Sequence, residues 1–98
     1  MTFEELERAL DLDVPPEQIS ELLRALWFAK KGDWNAAHVI VSDIDSAMAS
    51  RIHAHLHRVE GDLSNARYWY RQAGVEPEAG PLESEWVKLA RAATHHAR

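Results

Sequence analysis

Two Gly-Asp dipeptides, Gly32-Asp33 and Gly61-Asp62, stand 29 residues apart, and the residues around them match under that shift. Leu23 falls on Ile52, Trp27 on Leu56, Trp34 on Leu63 and Ala37 on Ala66. Ile40 falls on Trp69, Val41 on Tyr70 and Ile44 on Ala73. Each copy reads as helix, tight turn, helix. Glycine supplies the left-handed conformation that stops the first helix, and aspartate accepts the free N–H groups that open the second. The alanine lets two helices approach closely. A single hairpin cannot bury its apolar face alone, so two stacked hairpins must share a core.

The rest of the chain extends this pattern, with no strand-like alternation. Thr2 and Glu5 have the spacing of a capping box, and Phe3, Leu6 and Leu10 mark a short first helix. Asp11 to Pro16 is a break. The spacing predicts a second helix from Pro16 to Lys31, striped by Ile19, Leu22, Leu23, Leu26 and Trp27, and a third from Trp34 to Ile44. Asp45 or Ser46 opens a fourth, with Met48, Ile52, Leu56 and Val59 inward. The fifth buries Leu63, Ala66, Trp69, Tyr70 and Ala73 and stops at Gly74. Val75 to Gly80 is a loop. Pro81 opens a last helix with Leu82, Trp86, Leu89, Ala90 and Ala93 inward, and His95-His96 forms a solvated end. The expected fold is all-α: residues 1–98 as one domain of two stacked helix-turn-helix hairpins, with additional helices at both ends as caps. The four tryptophans are expected in the core, where large rings let a small domain bury much area.

Composition excludes several classes. There is no cysteine, hence no disulfide framework and no thiolate metal site. No apolar run has the length of a membrane helix, and Met1-Thr2-Phe3-Glu4-Glu5 is acidic where a signal peptide is basic. The expected compartment is the cytoplasm. A net charge of −5 argues against nucleic acid as a partner. That charge is uneven. Residues 1–21 hold seven acids against Arg8, whereas residues 51–71 hold Arg51, Arg58, Arg67 and Arg71 against Glu60 and Asp62. The acidic N-terminus is therefore a candidate cover for the basic segment.

Ala29-Lys30-Lys31-Gly32-Asp33-Trp34-Asn35-Ala36-Ala37 and Glu60-Gly61-Asp62-Leu63-Ser64-Asn65-Ala66 resemble the turn and second-helix start of tetratricopeptide-like repeats. The period is shorter than the roughly 34 residues usual there, which implies a compact bundle rather than a long solenoid. Residues 25–74 are also similar to a family of small uncharacterised bacterial proteins. Its pattern is A-L-W, then G-D-W-x-x-A-H, then H-A-x-L-H-R-x-E-G-D-x-x-N-A-x-Y-W-Y-R-x-A-G. Here the pattern is carried by Ala25-Leu26-Trp27, by Gly32 to His38 and by His53 to Gly74, with Glu85-Trp86 weakly included. The resemblance implies a fold and a set of residues, not a reaction.

Two constellations carry candidate chemistry. On the fifth helix Arg67 and Arg71 share a flank and Tyr68 points outward. With Arg58 they form a surface able to meet an acidic or aromatic protein or peptide segment. The other reading of these groups pairs the arginines with the acidic first helix. On the fourth helix His53 and His57 lie four residues apart on one face, with Glu60 near it. His38 is a third ligand for a transition metal such as zinc if the hairpins pack that way. Helical angles put His55 on the other flank. The competing account is a hydrogen-bonded histidine seam between helices. No H-E-x-x-H, phosphate loop, G-x-G-x-x-G or G-x-S-x-G is present, and no catalytic residue set is identified. The expected function is therefore a small interaction or scaffolding domain acting by surface complementarity. The alternative is a metal-dependent or His-assisted enzyme built on His53, His57 and Glu60. The first expects polar groups spread on an open surface; the second expects the histidines to converge.

Overall fold

The computed structural model describes residues 1–96, with side chains through His95. Six helices follow in order: α1 (Phe3–Ala9), α2 (Glu21–Lys31), α3 (Trp34–Ser42), α4 (Ala47–Val59), α5 (Leu63–Ala73) and α6 (Leu82–His96). The molecule is all-α, as the pattern required. Among the described residues, no helix is long and apolar enough to cross a membrane.

The two turns are near-copies. Gly32 and Gly61 have φ of 89° and 85°, a region that side chains with a Cβ disfavour. Beyond each glycine the next N–H reaches back across the helix end: Asp33 to Phe28 O at 2.9 Å, Asp62 to His57 O at 2.8 Å. Each aspartate carboxylate then accepts the amide three residues on, Ala36 at 3.1 Å and Asn65 at 3.3 Å. The paired core positions agree as well. Leu23 and Ile52, Trp27 and Leu56, Ala37 and Ala66, and Val41 and Tyr70 are all buried.

The α2–α3 and α4–α5 hairpins stack through α3 and α4, and α6 packs across α2 and α4. The main core joins Leu23, Leu26, Trp27, Val41, Ile52 and Leu89 with their neighbours, while Ala54, Ala66 and Tyr70 form a smaller cluster between α4 and α5. Buried indole N–H groups find carbonyls: Trp27 donates to Ala9 O at 2.8 Å and Trp86 to Leu26 O at 2.9 Å.

Several expectations are corrected. Helix α2 starts at Glu21, not Pro16, because Ser20 caps it by accepting the Leu23 amide at 3.2 Å. Helix α3 ends at Ser42 rather than Ile44. Leu63, Val59 and Leu82 are exposed. Leu63 matches Trp34, which packs on the following hairpin; among the described residues α5 has no such hairpin beside it, and its counterpart face is open. Of the tryptophans, Trp27 and Trp86 are core, whereas Trp34 and Trp69 sit half-buried at its edge. Acidic α1 does not cover the basic segment. It packs on α6, with Phe3 against Trp86 at 6.3 Å and the Arg91 guanidinium 4.1 Å over the Phe3 ring. His95 is exposed; the His96 side chain lies outside the described residues.

Candidate metal centre

Helix α4 carries three histidines and two arginines yet is largely buried, because neighbours enclose it on several sides. His53, His55 and His57 are all buried, at 5%, 3% and 5% exposure. A buried imidazole must be hydrogen-bonded or ligated to offset its lost hydration. Successive odd positions on a helix fall alternately on its flanks, so these three rings divide between two sites.

On the α3 side His53 and His57 stand one turn apart, and His38 of α3 reaches across to them. The ring centroids are 4.6 Å apart for His38 and His53, 5.5 Å for His38 and His57, and 5.0 Å for His53 and His57. One ligand nitrogen from each ring lies within 4.8 Å of the other two. Nε2 of His38 and Nε2 of His53 are 3.0 Å apart, one donating to the other. Around one ion with bonds of ~2.0–2.1 Å, tetrahedral ligand nitrogens stand about 3.3 Å apart, so only small ring movements separate this cluster from a coordination shell. The trio is held between two indoles. Trp34 stacks on His38 at 4.6 Å and 12°, and Trp69 stacks on His53 at 3.9 Å and 11°. Trp34 Nε1 also donates to Leu56 O at 2.6 Å, fixing its ring across the α3–α4 seam.

Burial favours the neutral form of two of these rings, His53 and His38. Burial, then the neighbouring His38 and His57, push His53 down to about 4. Burial, then His57, also lower His38, with Glu60 opposing. Neutral imidazoles carry the lone pairs a metal needs. Nδ1 of His57 donates to Glu60 Oε2 at 2.6 Å, which leaves its Nε2 as the ligand atom. A carboxylate on the remote nitrogen is the usual outer support of a metal-bound histidine. Glu60 thus sits behind His57 instead of beside the three imidazoles. His57, Glu60 and Asp62 also bring one ligand atom each within 4.8 Å, but both acids are exposed.

The α6 side of α4 is built differently. Glu85, 3% exposed, receives His55 Nδ1 at 2.7 Å and Arg58 Nη1 at 2.8 Å on one oxygen, and the Tyr70 hydroxyl on the other. Arg58 Nη2 donates to Gly80 O at 2.5 Å. Burial opposes the Glu85 charge, yet the bonds from His55, Tyr70 and Arg58 hold its carboxyl below the usual carboxylate range. Burial, then the bond to Glu85, hold the Tyr70 proton well above the usual phenol range. This network ties α6 to the second hairpin. The family resemblance includes Glu85 only weakly and spacing does not single it out; the further signal is a carboxylate inside the apolar stripe of α6, between Leu82 and Leu89.

The expected interaction surface is therefore split. Arg58 is committed to Glu85, with 12% of its side chain exposed. Arg67, Tyr68 and Arg71 are exposed on α5, and among the described residues neither arginine forms an ion pair. Three clefts lie elsewhere: between Phe3 and Arg91, between Val41 and Gln72, and beside His55 and Trp86. No protein-family model, curated protein or solved structure matches the chain.

Proposed function

We propose that this protein is a small helical metal-binding domain in which His38, His53 and His57 hold one divalent transition ion, zinc first. The observation behind the reading is the convergence of three imidazole nitrogens within 4.8 Å from two different helices. An all-imidazole set suits Zn²⁺, Cu²⁺, Ni²⁺ or Co²⁺ and suits Ca²⁺ or Mg²⁺ poorly. Three protein ligands leave one coordination position for water or an outside ligand. Titration of metal-stripped protein with Zn²⁺, followed by calorimetry and elemental analysis, tests this. One ion per chain is expected, with His57→Ala losing it. Wild type holding no more zinc than His57→Ala sinks the proposal.

A second reading keeps the interaction role, on the tetratricopeptide-like plan that the turn motifs resemble. It is favoured by α5, which packs chiefly on α4 and leaves Leu63, Arg67, Tyr68 and Arg71 exposed on the face a third hairpin would cover. Such a face suits an acidic peptide segment. Pull-down from the native cell with wild type and Tyr68→Ala/Arg71→Ala tests it. Loss of a captured partner is expected, and an unchanged set counts against this surface.

A further inference from the structure

The three ligands do not come from one hairpin. His38 belongs to α2–α3, while His53 and His57 belong to α4–α5. We infer that the bound ion is a clasp between the hairpins, fastening α3 onto α4, so that occupancy sets how firmly the first hairpin is docked. This rests on the metal reading above.

The two flanks of the stack are fastened unequally. On one flank α6 bridges both hairpins. Trp86 Nε1 donates to Leu26 O of α2 at 2.9 Å, Lys30 of α2 pairs with Glu83, and Glu85 takes both His55 and Arg58 of α4. On the other flank, among the described residues, no ion pair joins α3 to α4 or α5. Its side-chain hydrogen bonds are the Trp34 indole on Leu56 O and the single imidazole pair, His38 with His53. Neutral hydrogen bonds contribute less than charge-assisted ones, so the polar ties of this seam are the weaker of the two. Helix α3 is also short, at nine residues, and opens onto solvent along Val39 and Asn35. An ion held by His53 and His57 alone would brace α4 within itself. An ion that also takes His38 must hold α3 against α4.

Hydrogen–deuterium exchange on the full chain, with and without Zn²⁺, distinguishes these. Zinc is expected to slow exchange across residues 34–42 by about tenfold or more, with α1 unaffected and EDTA reversing the change. His38 is half-buried rather than core, so His38→Ala is expected to keep its helical circular dichroism. That variant should bind zinc about tenfold more weakly or worse, and show no slowing over residues 34–42. Wild-type zinc binding with unchanged exchange over residues 34–42 overturns the clasp while leaving the metal site standing. His38→Ala binding zinc as tightly as wild type overturns the clasp and removes His38 from the ligand set. No zinc binding by wild type removes both readings. If His38→Ala fails to fold, the wild-type exchange comparison still decides.

Discussion

The flanks of α4 hold two histidine clusters of opposite character. On the α6 side one carboxylate sits at the centre, and His55, Arg58 and Tyr70 all point at it. On the α3 side three imidazoles face one another, and the nearest carboxylate, Glu60, stands behind His57. The first cluster contains its own counter-charge and is complete as built. The second has no charge at its centre, only three imidazole nitrogens within 4.8 Å of one another. The contrast shows that buried histidine alone carries no functional meaning. The groups placed among the rings decide whether a cluster carries its own counter-charge.

The most severe break of this comparison is at Glu85. Glu85→Ala leaves the Arg58 charge half-buried without its partner, and is expected to lose about 3–5 kcal/mol of stability, read by urea denaturation. Zinc should rescue little of it, since the other flank is untouched. A loss below about 1 kcal/mol would show that the network is ornamental to the fold.

Acid should separate the two clusters. In the metal-free protein burial, then His38 from α3 and His57 from its own helix, hold folded His53 at about 4, against the ordinary 6.5 of the unfolded chain. The unfolded chain therefore binds more protons in that window. Stability should be full above pH 6.5 and fall as pH drops toward 4, by on the order of 3 kcal/mol at most. The lowered carboxyl of Glu85 acts later: its contribution persists at pH 4–5 and is lost only as pH falls through a value below the usual carboxylate range. Urea midpoints between pH 7.5 and 4 check this, and His53→Gln should flatten the first decline.

The smallest effect is expected at Glu60. Glu60→Ala removes the support behind His57 and should weaken zinc binding about 10–100-fold, while changing metal-free stability by no more than about 0.5 kcal/mol. Competition titration with a chelating dye measures the first and thermal melting the second. Unchanged zinc affinity would mean that His57 needs no outer partner.

The fold was legible because its signals are local. Gly32, Gly61, Asp33 and Asp62 act on their own helix ends, and a 3.6-residue stripe reports burial without knowledge of what covers it. Where a neighbour decides, local signals fall short. Leu63 continues the stripe of α5 but has no hairpin to bury it. Pro16 has the chemistry of a helix start, yet Ser20 provides the better cap. The metal candidates were half legible. The spacing of His53 and His57 places both rings on one face, but the arrival of His38 depends on how two hairpins stack. Glu85 and its three partners span residues 55 to 85 across three helices, and no spacing rule connects them. Arg58 shows the cost of that gap, since its charge reads as surface until its buried partner is seen.

The twin turns have one more consequence. Gly32 and Gly61 share φ to within a few degrees, and a Cβ built on either meets nothing within 4 Å. An alanine at either position therefore introduces the same backbone strain, about 1–2 kcal/mol, with no crowding to confuse it. The molecule thus contains its own calibration standard. Any difference between the two substitutions in folding or unfolding rate reports which half of the chain assembles first, with the chemistry of the change held constant.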